Sequence, residues 1–251
     1  MTDAVAWALG LGGLGAILGS FIAALVVRWP QGRSVLTGRS ACDACGVTLK
    51  PAELVPLLSA VVLRGRCRHC DAAIPAVHGR IELAAAALGA VAGLVAPGWA
   101  GLAGAVFGWL LLALAALDLR AFWLPDRLTG ALALAGMAGG VAGLAPDWGD
   151  RAIGGIAGFA LLAGVAWAYQ AVRGRSGMGG GDPKLFGAIG LWLGWRMLPA
   201  VLLVASLIGL GVVLIRRLHG APMARTDPLP LGALLAVAAY PAWVLMIVMA
   251  P

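Results

Sequence analysis

The chain has 251 residues, 61% of them hydrophobic and only 12% charged, with a mean hydropathy of +0.95. A soluble domain carries about 25% charged residues, so this composition excludes one and leaves a polytopic membrane protein. The net charge of +7 comes with no aromatic-interleaved basic stripe. Nucleic acid is therefore not an expected partner, and membrane lipid, with its anionic inner leaflet, is.

The N-terminal stretch 1-MTDAVAWALGLGGLGAILGSFIAALVV-27 has Asp3 and no basic residue before its apolar run. It lacks the basic start of a cleaved signal peptide and reads as a retained first helix. Crossing about 30 Å of hydrocarbon takes about 20 apolar residues, with tolerance for shorter runs. Such stretches fall at 5–27, 81–96, 101–117, 128–145, 152–172, 198–215 and 230–250. An eighth, 185–195, is apolar but short. Charge decides whether to count it. With eight crossings and the first helix running inward, Arg28, Arg33, Arg39, Lys50, Arg64, Arg66, Arg68, Arg80, Arg120, Arg127, Arg173, Arg175, Lys184, Arg216, Arg217 and Arg225 all lie inside. Only Arg151 and Arg196 remain outside, as the positive-inside rule requires. The expected fold is all-α and polytopic, with about eight transmembrane helices, the one at 185–195 short or tilted. Gly- and Ala-rich runs such as 10-GLGGLGAILGS-20 suit close helix packing in lipid.

Between the first two helices lies a polar insert, residues 28–80, holding all four cysteines as 42-CDAC-45 and 67-CRHC-70. Two C-x-x-C pairs at this separation match a four-cysteine zinc ribbon, so Cys42, Cys45, Cys67 and Cys70 are the expected ligands of a structural zinc. Paired disulfides are the alternative, and a reducing cytosol argues against them. His69 reads as a polar surface residue, His78 and His219 as ordinary loop residues. The run 54-LVPLLSAVVL-63 is too short for an independent crossing; it either lies in the interface or re-enters. The division is then a first helix (1–27), a cytosolic insert (28–80) and a membrane domain (81–251).

Two later loops hold acidic residues. In 109-WLLLALAALDLRAFWLPDRLT-129, Asp118 ends an apolar run, and Asp126 with Pro125 reads as a cap on the next helix. In 177-GMGGGDPKLFGAIG-190, Asp182 precedes the short span. The charge-derived topology returns Asp118 and Asp182 to one membrane face at similar depth. Two carboxylates held together share a proton, so one activates water while the other protonates a carbonyl or leaving group. Gly179, Gly180 and Gly181 let the backbone depart from helix and a substrate strand come close, and Lys184 completes the shape of the site. Taken alone, Asp182 with Pro183 also reads as a helix cap, and Asp118 alone as an interfacial helix end.

The ordered set 19-GSF-21, 28-RWP-30, the paired cysteines, 64-RGRCRHC-70, Glu82, Asp118 with Pro125 and Asp126, and 177-GMGGGDPKLFGAIGLWLG-194 resembles the prepilin peptidases, membrane aspartic proteases of the G-x-G-D type. The resemblance implies a multi-pass protein of the bacterial inner membrane. It would remove the basic leader of type IV prepilin or pseudopilin precursors at the cytoplasmic face, with Asp118 and Asp182 as the catalytic pair; Asp126, read first as a cap, is the candidate auxiliary on its sequence position alone. It also implies, in many members, methylation of the new N-terminus from S-adenosylmethionine. Here the Asn usual after G-S-F-L is missing, the N-I-P element is 54-LVP-56, and the aromatic before the second helix is replaced in 76-AVHGRIE-82. These departures weigh on methyl transfer and leave the aspartate motifs intact. The competing classes are a proton-coupled transporter, which also uses membrane carboxylates and glycine-broken helices, and a zinc-bearing scaffold without chemistry.

Overall fold

The computed structural model describes residues 2–35, 39–42, 44–175, 177–220 and 227–249, so Arg225 of the topology argument lies outside the described residues. Among these the chain is helical, with two isolated β-bridges and no strand. The helices are α1 Thr2–Arg28, the short α2 Leu58–Val62, α3 Val77–Val95, α4 Trp99–Ala121, α5 Asp126–Val141, α6 Trp148–Arg173, α7 Gly181–Leu193, α8 Leu198–Leu218 and α9 Leu231–Val248. Apart from α2, each answers to one expected apolar stretch. The segments containing α1, α3, α4, α6, α8 and α9 are long and apolar enough to cross a membrane. Helices α5 and α7 are the short ones, with 16 and 13 residues. At 1.5 Å per residue, α7 is about 20 Å long. It begins at Gly181, four residues ahead of the apolar run, because Asp182, Pro183 and Lys184 form its polar first turn.

The chain packs as two compact units, Met1–Ala113 and Leu114–Pro251. In the first, α1 and α3 form an antiparallel pair. Gly12, Gly15 and Gly19 of α1 face Ala90, Ala85 and Glu82 of α3, and a β-carbon at Gly15 would overlap the Ala85 carbonyl. Without a hydrophobic drive inside lipid, such close contact supplies the dispersion energy that holds helices together. Trp109 of α4 donates its indole N–H to the Ala85 carbonyl at 2.9 Å. His78 falls in the first turn of α3 rather than in a loop, and His219 caps the C-terminus of α8.

In the second unit, α6 and α7 meet through glycine. A β-carbon at Gly190 would overlap the Gly154 carbonyl, and one at Gly158 would come within 2.9 Å of the Phe186 carbonyl. Helix α6 starts on Asp147, whose carboxylate accepts the Asp150 N–H at 2.8 Å, and stops at Gly174 in the left-handed conformation (φ 66°). Arg151, expected as an external topology charge, is instead 1% exposed. Its guanidinium donates to the carbonyls of Gly136, Leu144, Ala145, Pro146 and Leu191, all at 2.7–2.9 Å. The physical reason is that the carbonyls of Leu144, Ala145 and Pro146 lie in the turn between α5 and α6 and that of Leu191 in the last turn of α7, where no helical partner meets them, and arginine's five donors can answer several at once. Arg196 remains the exposed charge at this end, 3.2 Å from Asp150. Arg151→Ala removes all five of these bonds at once. The expected loss of stability is at least about 3 kcal/mol, read as a lowered unfolding midpoint in detergent.

Candidate functional site

Asp118 and Asp182 are the two buried aspartates of the second unit, 5% and 6% exposed. Asp118 sits in the last turn of α4, Asp182 in the first turn of α7, and the structure brings them together. The Asp182 carboxylate is close enough to Asp118 to feel its charge, and both carboxylates interact with the backbone N–H of Gly232. The Asp118 Oδ2 also accepts the Ala233 N–H at 2.8 Å, while the Asp182 carboxylate takes the N–H of Gly179. Gly232 and Ala233 open α9, whose preceding residue Pro230 offers no side-chain cap. The first-turn donors of α9, unsatisfied within any helix, are thus aimed at the acidic pair. The positive ends of the α7 and α9 dipoles both favour negative charge there.

The glycine run works by close approach, not by unusual backbone angles. None of Gly179, Gly180 or Gly181 has positive φ; Gly179 and Gly180 lie outside helix, and Gly181 is the first residue of α7. A β-carbon at Gly181 would lie 2.7 Å from Leu124 Cβ, and one at Gly179 would lie 3.1 Å from Asp182 Oδ2. Gly180 faces open space. Leu124 also presses on Gly232, where an added β-carbon would come 2.7 Å from its Cδ1 and 3.0 Å from Asp118 Oδ2. Leu124 and Gly232 escaped sequence reasoning, which looks for reactive side chains. The usable signal was Pro228 and Pro230 just before an apolar run, a helix-start pattern that marks where free N–H groups point.

Asp126 does not cap α5. Pro125 holds the cap position without a side-chain bond, and Asp126 is the first helical residue. Its carboxylate instead pairs with Lys184 Nζ at 2.7 Å, and the Asp126 side chain is 72% exposed. An exposed pair of this kind is worth at most about 1 kcal/mol. Asp126→Ala is accordingly expected to keep peptidase activity within about fivefold of the parent, measured as initial cleavage rate.

In the insert, Cys42, Cys45, Cys67 and Cys70 place their sulfurs within 4.8 Å of one another. A tetrahedral ion with Zn–S bonds of about 2.3 Å needs S···S separations of about 3.8 Å; Cys42 and Cys70 stand at 3.9 Å. The two knuckles share one backbone pattern. Cys42 N–H bonds the Val47 carbonyl and Gly46 N–H the Cys42 carbonyl; Cys67 N–H bonds Ala72 and Asp71 N–H bonds Cys67. Gly46 and Asp71 both take the left-handed conformation this turn requires, at φ 73° and 57°. Aspartate tolerates it, and Arg66 holds it from outside at 3.0 Å. The backbone N–H groups of Cys45 and Ala44 bring the Cys42 thiol down to about 7. At Cys70 the Ala72 N–H also favours the thiolate, but desolvation and three neighbouring sulfurs outweigh it and push the thiol up to about 12. Four thiolates cannot share this space without a cation, and the donor set fits a single soft or borderline one. His69, expected on the surface, has its Nε2 3.7 Å from Oε1 of the buried Glu53.

Comparison with known proteins places this geometry. Residues 14–95 match the bacterial peptidase A24 N-terminal domain and residues 105–214 the type IV leader peptidase family. The prepilin leader peptidase/N-methyltransferase of Aeromonas hydrophila is 41% identical over 212 residues, 82% of this chain and 71% of that protein. The chain belongs to the type IV leader peptidase family. The like-named protein of Burkholderia pseudomallei strain 1026b is 43% identical over 82% of this chain and 67% of its own length. That of Dickeya chrysanthemi is 35% identical over 92% and 90%. No solved structure matches. As a type IV leader peptidase the chain is a multi-pass membrane protease, and neither a transporter nor an inert scaffold is favoured. The N-terminal family match spans the cysteine insert, and the peptidase match contains Asp118 and Asp182.

Proposed function

We propose that this peptidase removes the basic leader from type IV prepilin or pseudopilin precursors at the cytoplasmic face of the inner membrane, with Asp118 and Asp182 as its catalytic groups. The observation that carries the reading is the convergence of these two buried carboxylates on the Gly232 N–H, from separate helices of one peptidase unit. In the proposed step, the ionised carboxylate takes a proton from water as its oxygen attacks the scissile carbonyl carbon. The protonated partner donates to the carbonyl oxygen. Collapse of the tetrahedral species breaks the C–N bond: the proton first taken from water passes to the leaving amine, and a hydroxyl proton of the tetrahedral species returns to the aspartate that had donated. The products are a leader carboxylate and a free N-terminal amine, with no covalent intermediate. Gly179 and Gly181 keep side chains away from Asp182 and Leu124, and Lys184 holds Asp126 aside from the pair. The asymmetry of basic residues supports the cytoplasmic placement, with Arg151 removed from that count by its burial.

The cysteine cluster is proposed to hold one structural zinc, supported by its four-sulfur donor set and spacing. Bound zinc would supply only the cross-link that folds the insert.

Methylation of the new N-terminus is a second proposed activity, and the relatives' printed names carry it. Transfer of a labelled methyl group to mature substrate tests it separately.

The test of the main reading is the N-terminal sequence of a pilin-like precursor coexpressed with this chain. Cleavage between the basic leader and the apolar segment is expected. A precursor left intact by folded, membrane-inserted enzyme contradicts it.

A further inference from the structure

Sequence left the apolar run 54–63 between two fates, lying in the interface or re-entering. Only five of its residues, Leu58–Val62, form α-helix, which at 1.5 Å per residue spans about 8 Å. That is too little to re-enter. Leu54, Val55, Leu58, Val61 and Val62 are nonetheless exposed, the two last at 75%. Water does not favour such a patch, which calls for a partner.

Three observations identify it. First, the patch has a fixed depth. The Leu57 N–H donates at 2.9 Å to Oε2 of Glu82, a buried residue in the second turn of α3. The apolar part of α3 starts at Ile81, so this bond ties the run to the level where that helix enters hydrocarbon. Second, the exposed charges described around it are mostly basic. Lys50, Arg64, Arg68 and Arg80 are exposed, whereas Glu53 is buried and Asp71 is paired with Arg66. Third, Leu83, the neighbour of Glu82 in α3, is itself an exposed aliphatic side chain at 61%.

We infer that residues 54–63 are an interfacial anchor that seats Leu54, Val55, Leu58, Val61 and Val62 among the acyl chains of an anionic leaflet, with the surrounding basic side chains on its headgroups. A short apolar surface beneath a basic rim binds there by buried area plus headgroup attraction. The anchor would hold the cysteine insert against the membrane surface.

The test uses the full chain in vesicles carrying a photoactivatable phospholipid, either phosphatidylcholine alone or mixed with phosphatidylglycerol, with adducts mapped by mass spectrometry. Adducts on 54–63 are expected, several-fold more abundant in the phosphatidylglycerol vesicles. Val61→Glu with Val62→Glu should remove them while labelling of α1 and α3 persists. Arg64→Gln with Arg80→Gln, which leaves the patch intact, should remove only the enhancement by phosphatidylglycerol. Labelled α1 and α3 with an unlabelled 54–63 segment would overturn the inference. So would equal labelling in the two vesicles, or cross-links from this segment to a protein substrate in place of lipid.

Discussion

Replacing either Asp118 or Asp182 by Asn is expected to lower precursor cleavage by at least about 10³-fold, the scale of losing a positioned acid or base. Asn keeps the shape and can still accept an N–H bond, but it cannot take a proton from water. The double variant should be little worse than either single one, because the two groups act as a unit. Folding is a separate matter for Asp118, whose Oδ2 satisfies the Ala233 N–H at the start of α9. Asp118→Asn preserves an acceptor there, whereas Asp118→Ala would leave that donor unmet at about 1–3 kcal/mol. The informative comparison is therefore initial rate at matched unfolding midpoint. A rate within tenfold of the parent for Asp182→Asn would remove it from the catalytic pair.

The second large effect concerns the metal. Purified protein is expected to carry about one zinc per chain, and Cys67→Ser to carry essentially none, since a four-thiolate site loses its closed tetrahedron with any ligand. The free energy at stake is about 10–16 kcal/mol by comparison with zinc-finger peptides, far more than an insert this small can recover from its own burial. Trypsin should then cut at Arg64, Arg66 and Arg68, sites that the loaded insert protects, while the membrane helices stay intact. The pH dependence follows from Cys42. Its thiol sits at about 7, below the ordinary 9.0, so the thiolate is favoured in the fold and that contribution is lost as pH falls through about 7. Zinc uptake by stripped protein should weaken below that pH and be strongest above it. Uptake that is unchanged under acid conditions would contradict a thiolate site.

Much of this molecule was legible in its sequence, for reasons that differ between its parts. The long apolar runs became α1, α3, α4, α6, α8 and α9 because a helix satisfies its own backbone polar groups within a single segment in hydrocarbon. The start of α7 was harder to read. Asp182 with Pro183 reads as a helix cap, yet Gly180 holds that position and Asp182 lies in the first turn, buried against α4 and α9. The cysteine cluster was legible because residue type and spacing are local. Arg151 was not: a lone arginine between apolar runs reads as an exposed topology marker, and only the meeting of α5, α6 and α7 supplies five carbonyls to bury it. Gly232 was invisible for a similar reason. What it brings to the acidic pair is a backbone N–H, oriented by the place where α9 begins rather than by any side chain.

The oxygen balance of a single turnover in ¹⁸O-enriched water tests the central claim most directly. If Asp118 and Asp182 direct water onto the amide, the heavy atom appears in the new carboxylate of the released leader and both enzyme aspartates stay unlabelled. Heavy oxygen in the side chain of Asp118 or Asp182 would mean that a carboxylate attacked the substrate itself, and would contradict the account.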